Sequence, residues 1–302
     1  MRRKLWGAAA LAAVCGFALA GCGGNPPGVD GNLTNNWPAM PEAKIPVPAD
    51  HACYDVHTEN PADVTKLPAP VECTVLHSFE TIHVGTFSGD DASRDTPPPV
   101  GGPARRKAYE ECATSAKTFL GDDWRTGRLE VVVATPIALH WEAGARWFRC
   151  DAVEYKDLDN YEIVSRSASL KDALTGERQV GLACFNVTQK GDAIDTMAPV
   201  GCTASHNAEF AGIFEAPDTP YVADDKARRD MHSAGCRGVV ASFAGVPNDG
   251  NVQYRTGFIS GPFGKPDWEQ GNRGVRCYIW PGKPVAKLLK GAGVAGLPIN
   301  YG

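Results

Sequence analysis

Several features that are common in other proteins are missing from this sequence of 302 residues. None of its ten cysteines forms a C-x-x-C pair, the spacing typical of zinc sites, so a zinc-binding module is disfavoured. No extended tract of lysine and arginine indicates nucleic-acid binding. No second long hydrophobic run follows the N-terminal one, so no further membrane span is predicted. Any attachment to a membrane must therefore depend on the N-terminus.

The N-terminus has the pattern of a bacterial lipoprotein signal. Basic residues at positions 2–4 precede an apolar stretch over 5–19, and the tetrad Leu-Ala-Gly-Cys ends at Cys22. We expect residues 1–21 to be a cleaved signal peptide and Cys22 to carry a diacylglyceryl group. This lipid would anchor the protein to the outer face of the cell membrane. The alternative is an ordinary secretory signal, and in either case the mature chain is exported.

The segment that follows the signal has the composition of a linker. Residues 22–49 are rich in glycine, proline and asparagine and show no hydrophobic periodicity. This composition predicts a flexible tether that reaches on the order of 30 Å from the lipid. Without its signal, the chain has 27 basic and 35 acidic residues, and this acidic balance gives no reason to expect a nucleic-acid partner.

A ten-residue pattern occurs twice, which indicates an internal duplication. Residues 141–150 and 268–277 share a tryptophan, a glutamate, a glycine, two arginines and a cysteine in register, 127 positions apart. Three further pairs of matching motifs precede them in the same order. We therefore predict two tandem repeats, at 50–174 and 179–295. The matches are W-E-A-G-A-R-W-F-R-C with W-E-Q-G-N-R-G-V-R-C, A-C-Y with A-C-F, and C-T-x-x-H-x-x-E and C-x6-F-x-G in both copies.

Each repeat has four cysteines, and their even number in an exported chain predicts two disulfides per repeat. Four cysteines allow three pairings. We favour the first with the second because they flank one short connection, and the third with the fourth because the third lies on a helix that must be held in place. The predicted disulfides are Cys53–Cys73, Cys112–Cys150, Cys184–Cys202 and Cys236–Cys277.

The hydrophobic pattern within each repeat predicts one main helix and several strands. Helical spacing of apolar residues extends over 104–119 and over about 224–243, where two glycines weaken the helix by roughly 1 kcal/mol each. Strands are predicted at 129–134, 146–153 and 275–280, and after each C-T-x-x-H motif. Since no repeated βαβ alternation occurs, we expect an α+β fold of two small tandem domains. Each would be an antiparallel sheet with one main helix and two disulfides.

The most reactive-looking side chains are His77 with Glu80 and His206 with Glu209. Catalysis by these pairs needs a nucleophile or an activated water, and no serine, cysteine or lysine recurs beside both pairs. As metal ligands they supply two donors per repeat, fewer than the three or four of a zinc site. We favour a structural role, and we expect no catalytic residue, no metal and no cofactor.

A structural role requires partners for the two glutamates. In a strand that ends at Cys150, alternation puts Arg146 on the side of the disulfide, and Arg273 has the same place in the second copy. We therefore expect ion pairs of Arg146 with Glu80 and of Arg273 with Glu209.

Four aromatic residues are candidates for packing or for binding. Trp141 and Trp268 open the two copies of the ten-residue motif, and we favour packing on the sheet for both, with ligand contact as the alternative. Trp124 and Tyr221 lie outside the matched segments, so they are candidates for contact with a partner.

The motifs resemble those of the actinobacterial septum formation domain family. The resemblance rests on C-Y/F, C-T-x-x-H-x-x-E, the helical C-x6-F-x-G and the W-E-x-G-x-R-x-x-R-C ending, and it covers most of both repeats. It implies an exported, membrane-anchored protein with a role in cell division and envelope growth, and it carries over no enzymatic activity. The sequence departs from the family at Leu76 and Ser205, where proline is usual, and at Ala145 and Asn272, where aspartate is frequent.

The function expected from the sequence is that of an extracytoplasmic lipoprotein that binds or scaffolds an envelope or division protein without catalysis. One alternative is an envelope hydrolase that uses the His and Glu pairs. A solvent-facing cleft containing both groups would favour the hydrolase, and a buried Arg–Glu contact would favour the binding module. The other alternative is a lipoprotein that presents a ligand to a transporter. The small repeats argue against it, because a two-lobed cleft needs larger lobes.

Overall fold

The computed structural model describes residues 45–58, 61, 68–191 and 193–301, together with Pro27 and Gly31. Residues 45–302 form one compact unit. The predicted signal peptide, Cys22 and most of the predicted tether therefore lie outside the described residues.

The first repeat forms a four-stranded antiparallel sheet. Its strands are β1 (Ala52–Tyr54), β2 (Phe79–Thr86), β3 (Leu129–Ala134) and β4 (Trp147–Glu154). They lie in the order β1-β2-β4-β3, with β4 at the centre beside β2. All eight residues of β4 are buried, so both faces of the sheet are covered at this strand.

One long helix covers the inner face of the first sheet. The helices are α1 (Gly89–Ala92), α2 (Pro103–Leu120) and α3 (Ala138–Glu142). Helix α2 begins with a proline. Proline has no backbone N–H, which suits the first turn because an N–H there would have no partner within the helix. It ends at Gly121 in the left-handed conformation. Ala108, Cys112 and Ala116 of α2 belong to one buried cluster with Phe148 of β4.

The second repeat forms a five-stranded antiparallel sheet, in the order β6-β5-β7-β9-β8. Omitting β6, this order matches that of the first sheet, as a duplication requires. The strands are β5 (Cys184–Lys190), β6 (Ala193–Val200), β7 (Ala208–Glu215), β8 (Gly257–Pro262) and β9 (Gly274–Trp280). The helices are α4 (Asp225–Ala244), α5 (Val252–Arg255), α6 (Lys265–Gln270) and α7 (Gly293–Gly296).

Helix α4 is the counterpart of α2 and has the same relation to its sheet. The Asp224 carboxylate caps its first turn by accepting a hydrogen bond from the Ala227 N–H, at 2.7 Å. Val240, Ala241 and Ala244 of α4 pack in a buried cluster with Ile279 of β9.

The structure confirms the α+β fold and all four predicted disulfide pairings. In each repeat, one disulfide ties the first strand to the segment just before the motif histidine, and the other ties the main helix to a central strand. The observed main helices begin and end within one residue of the predicted bounds. The repeat boundaries at 174 and 179 stay predictions.

Candidate functional site

The ten-residue motif forms the same local structure in both repeats. Each tryptophan lies on a short helix, α3 or α6, and a glycine follows with positive φ, Gly144 at +102° and Gly271 at +117°. This conformation favours glycine and turns the chain back towards the tryptophan. The guanidinium of Arg146 then lies 4.2 Å from the ring centre of Trp141, and that of Arg273 lies 4.6 Å from Trp268.

Each motif tryptophan also fixes the loop that leads to the main helix. The Trp141 indole N–H donates to the Arg94 carbonyl at 2.7 Å, and the Trp268 indole N–H donates to the Thr219 carbonyl at 2.8 Å. Both rings are buried. The motif is therefore a clamp that closes the loop before α2 or α4, and its tryptophans contact the protein's own chain.

The predicted Arg–Glu ion pairs are wrong. Arg146 donates instead to the carbonyls of Ala92, Trp141 and Ala145, at 2.5–2.8 Å. Arg273 donates to the Asp218 carboxylate at 2.8 Å. The prediction assumed strand alternation at these arginines, but β4 and β9 begin only after them. Their side chains turn towards the motif tryptophan rather than towards the disulfide face.

Each His–Glu pair holds the segment that follows the last strand of its repeat. The backbone of His77 pairs with that of Arg166, and the backbone of His206 pairs with that of Val285. Four residues further on, the same segment donates a backbone N–H to the glutamate. The Leu170 N–H lies 2.7 Å from Glu80 Oε2, and the Leu289 N–H lies 2.6 Å from Glu209 Oε1.

The histidines and glutamates of both pairs are buried. His77 Nδ1 lies 2.8 Å from the Val75 carbonyl, and His206 Nδ1 lies 2.8 Å from the Ala204 carbonyl. Because a carbonyl only accepts, each Nδ1 carries a proton. The remaining ring nitrogen, Nε2, is also buried in both repeats.

The two pairs differ at Nε2. His206 Nε2 is hydrogen-bonded to Glu209 Oε1 at 3.0 Å, whereas His77 Nε2 has no hydrogen-bond partner among the described residues. In the first repeat, the Ser169 hydroxyl donates to Glu80 Oε1 at 2.6 Å. Leu288 stands at the position that corresponds to Ser169 in the second repeat, and it cannot donate.

A cysteine completes a potential metal-ligand set at each pair. Cys53 Sγ, a ring nitrogen of His77 and a carboxylate oxygen of Glu80 all lie within 4.8 Å of one another, as do the corresponding atoms of Cys184, His206 and Glu209. Both sulfurs are in disulfides, so the oxidised protein offers two strong donors per set.

An open groove of about 670 Å³ lies beside the first pair, between β2 and α2. Its lining includes the half-buried Cys73 and the buried Glu80, but not His77. The lining also includes His51, His83, Phe119 and Lys171.

The second arginine of the motif has a role that sequence reasoning missed. Arg276 on β9 donates to carbonyls of the first repeat, Arg125 at 2.9 Å, Gly127 at 3.2 Å and Leu129 at 3.4 Å. Its counterpart Arg149 lies 2.6 Å from Asp151 within the first repeat. In the sequence, the only sign of a role for Arg276 was that the arginine recurs in both copies of the motif. Its partners become visible only when the two repeats pack on each other.

Other contacts strengthen the junction of the two repeats. The Arg125 guanidinium pairs with Glu215 of β7 at 2.8 Å. Trp124 is buried on a 3₁₀ turn (Trp124–Thr126), with its ring centre 5.4 Å from that of Phe263. The interpretation of Trp124 as a free partner contact is therefore wrong. Tyr221 packs against Trp268 and lies under the Arg228 guanidinium.

Burial also shifts the titration of groups near this junction. Burial raises the pKa of the carboxyls of Glu130 and Asp267, and it lowers the pKa of the Arg276 guanidinium. Burial and the neighbouring Glu130 raise the pKa of the Tyr155 hydroxyl, which donates to that carboxylate. These groups form a polar cluster within the junction.

Among the described residues, no helix has the length and apolar character needed to cross a membrane. The predicted lipidation at Cys22 lies outside the described residues.

The fold and the paired sites define a class of protein, a disulfide-bonded α+β chain with two repeats that each bury a His–Glu pair. A family model described as septum formation matches residues 50–277, and the chain belongs to this family. The match extends over both copies of the motif, and the description names septum formation rather than a catalysed reaction. Neither the curated proteins nor the solved structures give a significant match.

Proposed function

We propose that this protein is an exported lipoprotein that binds or scaffolds an envelope or division protein during septum formation, without catalysis. A diacylated Cys22 anchors it to the outer face of the cell membrane, and each repeat is one copy of an actinobacterial septum formation domain. Family membership and four disulfides support this, because disulfides form and persist in oxidising compartments. The lipobox sequence supports the anchor.

The observation that carries the non-catalytic part is the use of both His–Glu pairs within the fold. Each glutamate accepts a backbone N–H from the segment after the last strand, and each histidine is buried under that segment. A general acid or base must reach the substrate's proton directly or through one water. Groups held in this way stabilise the repeat and leave its outer surface for binding.

The hydrolase alternative needs both groups of a pair in one solvent-facing cleft. In the first repeat, Glu80 lines the groove and His77 does not. The buried Arg–Glu contact that would have favoured the binding module is not formed either, so neither of the two criteria taken from the sequence decides the matter. The buried contacts of the pairs support the module.

Complementation of a deletion strain tests this proposal. We expect the wild-type protein and the double variant His77→Gln/His206→Gln to restore normal spacing of septa by microscopy, with equal protein levels by immunoblot. We expect Cys22→Ser to release the protein into the medium and to fail. Failure of the histidine variant at a normal protein level would show that septum formation requires the chemistry of these histidines and would contradict the proposal.

A further inference from the structure

Two disulfides occupy equivalent positions beside the His–Glu pairs, and their surroundings differ. Cys53 and Cys184 are buried, while Cys73 and Cys202 are half-buried. In the first repeat, Cys73 lines the open groove beside α2. An external thiol that enters this groove meets the Cys73 sulfur before the Cys53 sulfur.

A ring nitrogen of His77 lies near the Cys53 sulfur, and His77 has one ring nitrogen without a partner among the described residues. Cys53 Sγ, His77 and Glu80 lie within 4.8 Å of one another, and His77 Nε2 is buried without a hydrogen-bond partner among the described residues. The proton on Nδ1 is held by the Val75 carbonyl, so Nε2 is the nitrogen that can take up a further proton. In the second repeat, the corresponding nitrogen is already bonded to Glu209.

We propose that the Cys53–Cys73 disulfide is a site of thiol–disulfide exchange with a thiol-bearing partner or small molecule, and that His77 assists the departure of Cys53. This activity is stoichiometric, goes beyond the binding role and does not depend on it. The incoming thiol sulfur bonds to Cys73 Sγ, and the electron pair of the broken S–S bond goes to Cys53 Sγ. The proton of the incoming thiol ends on His77 Nε2. The products are a mixed disulfide at Cys73 and a Cys53 thiolate that faces the His77 imidazolium.

Stabilisation of the leaving sulfur should show in the rate, because exchange is faster when the leaving thiol is more acidic. The Cys184–Cys202 disulfide is the control within the same chain. It also links the first strand of its repeat to the chain just before a buried histidine, over a similar sequence separation. Nε2 of that histidine, His206, is however hydrogen-bonded to Glu209.

Limited reduction of the full-length lipoprotein in detergent tests the proposal. Dithiothreitol is the reductant, iodoacetamide quenches the reaction at intervals, and peptide mass spectrometry follows each cysteine. We expect Cys53 and Cys73 to become alkylated roughly tenfold faster than Cys184 and Cys202. Equal or slower reduction of Cys53–Cys73 would overturn the proposal. With glutathione in place of dithiothreitol, we expect the mixed disulfide on Cys73, and its appearance on Cys53 would equally overturn it.

Variants separate the chemical role of His77 from a structural one. We expect His77→Gln to slow reduction of Cys53–Cys73 roughly tenfold and to leave Cys184–Cys202 unchanged. A merely structural role predicts the opposite sign, because a loosened repeat exposes its disulfide. An unchanged or faster rate would therefore exclude the role of His77.

If His77→Gln does not fold, substitutions at Ser169 and Leu288 serve instead, because these residues set the difference between the two His–Glu pairs. Ser169→Ala removes the hydroxyl from Glu80, which can then bind His77 as Glu209 binds His206, so we expect slower exchange in the first repeat. Leu288→Ser supplies a hydroxyl to Glu209, and we expect faster exchange in the second repeat. Rates that do not move in these opposite directions would contradict the mechanism.

Discussion

At the scale of single residues, several buried charged groups of the repeated motifs are held by backbone groups. Glu80 and Glu209 accept backbone N–H groups from the segment after the last strand, and the motif arginines donate to backbone carbonyls or to aspartates. A buried N–H without an acceptor is costly, so a glutamate placed there fixes one path for the chain. The C-T-x-x-H-x-x-E motif is thus a device for holding a distant segment in place.

Replacement of Glu80 tests this role. Glu80→Ala leaves the buried Leu170 N–H without its acceptor, and we expect a loss of about 1–3 kcal/mol in the free energy of unfolding. Glu80→Gln keeps one acceptor oxygen and should lose clearly less. Urea denaturation of the oxidised proteins measures both. Equal stability of Glu80→Ala and the wild type would mean that the Leu170 N–H finds another acceptor.

At the scale of elements, close approach between helix and sheet decides where glycine is needed. A Cβ at Gly235 of α4 would overlap the ring of Phe214 on β7. At Gly238, one turn further along α4, the nearest atom is 3.2 Å away and belongs to the flexible Asn248 side chain. The first glycine therefore permits contact with the sheet, while the second only weakens the helix.

Alanine at these two positions should change stability in opposite directions. We expect Gly235→Ala to lose about 1–3 kcal/mol because the phenylalanine ring must shift. We expect Gly238→Ala to gain up to about 1 kcal/mol because alanine favours the helix. Thermal unfolding under oxidising conditions, with both variants compared at the same concentration, measures the difference. A gain at both positions would show that Phe214 moves at little cost.

At the scale of the whole molecule, hydrogen bonds and an ion pair couple the two repeats across their junction. Arg276 donates to three carbonyls of the first repeat, and Arg125 pairs with Glu215 of the second. Arg106 also crosses the junction, donating to the Glu269 carbonyl at 2.8 Å, but its side chain is 38% exposed. The buried arginine should contribute more than the exposed one, since water replaces the partners of an exposed group.

Removal of Arg276 should uncouple the two repeats. We expect Arg276→Ala to lose about 2–4 kcal/mol, because the carbonyls at Arg125, Gly127 and Leu129 lose their donor. Calorimetry should then show a broadened or divided transition, since each repeat keeps its own core and disulfides. Arg106→Ala is the control, and its loss should stay below about 1 kcal/mol. A single sharp transition in Arg276→Ala would show that the junction does not depend on this residue.

The duplication, the main helices and the disulfide pairings could be predicted because they depend on local spacing and on the recurrence of motifs. The partners of Glu80 and Arg146 could not, since they depend on where distant loops return. Strand alternation suggested an ion pair, but Arg146 precedes its strand and turns to Trp141. Leu170 carried no signal that its N–H would be the partner of Glu80.

By itself, the sequence determined the two repeats, their α+β character and the cysteine pairs, because these features depend on the spacing and recurrence of residues along the chain. Only the tertiary structure decided that Arg276 joins the repeats whereas Arg149 pairs with Asp151 of its own repeat, although both arginines occupy the same place in the motif. It also decided that His77 and His206 differ, because a serine hydroxyl reaches one glutamate and a leucine stands at the other. Identical motifs acquire different partners since each is completed by residues far away in the chain.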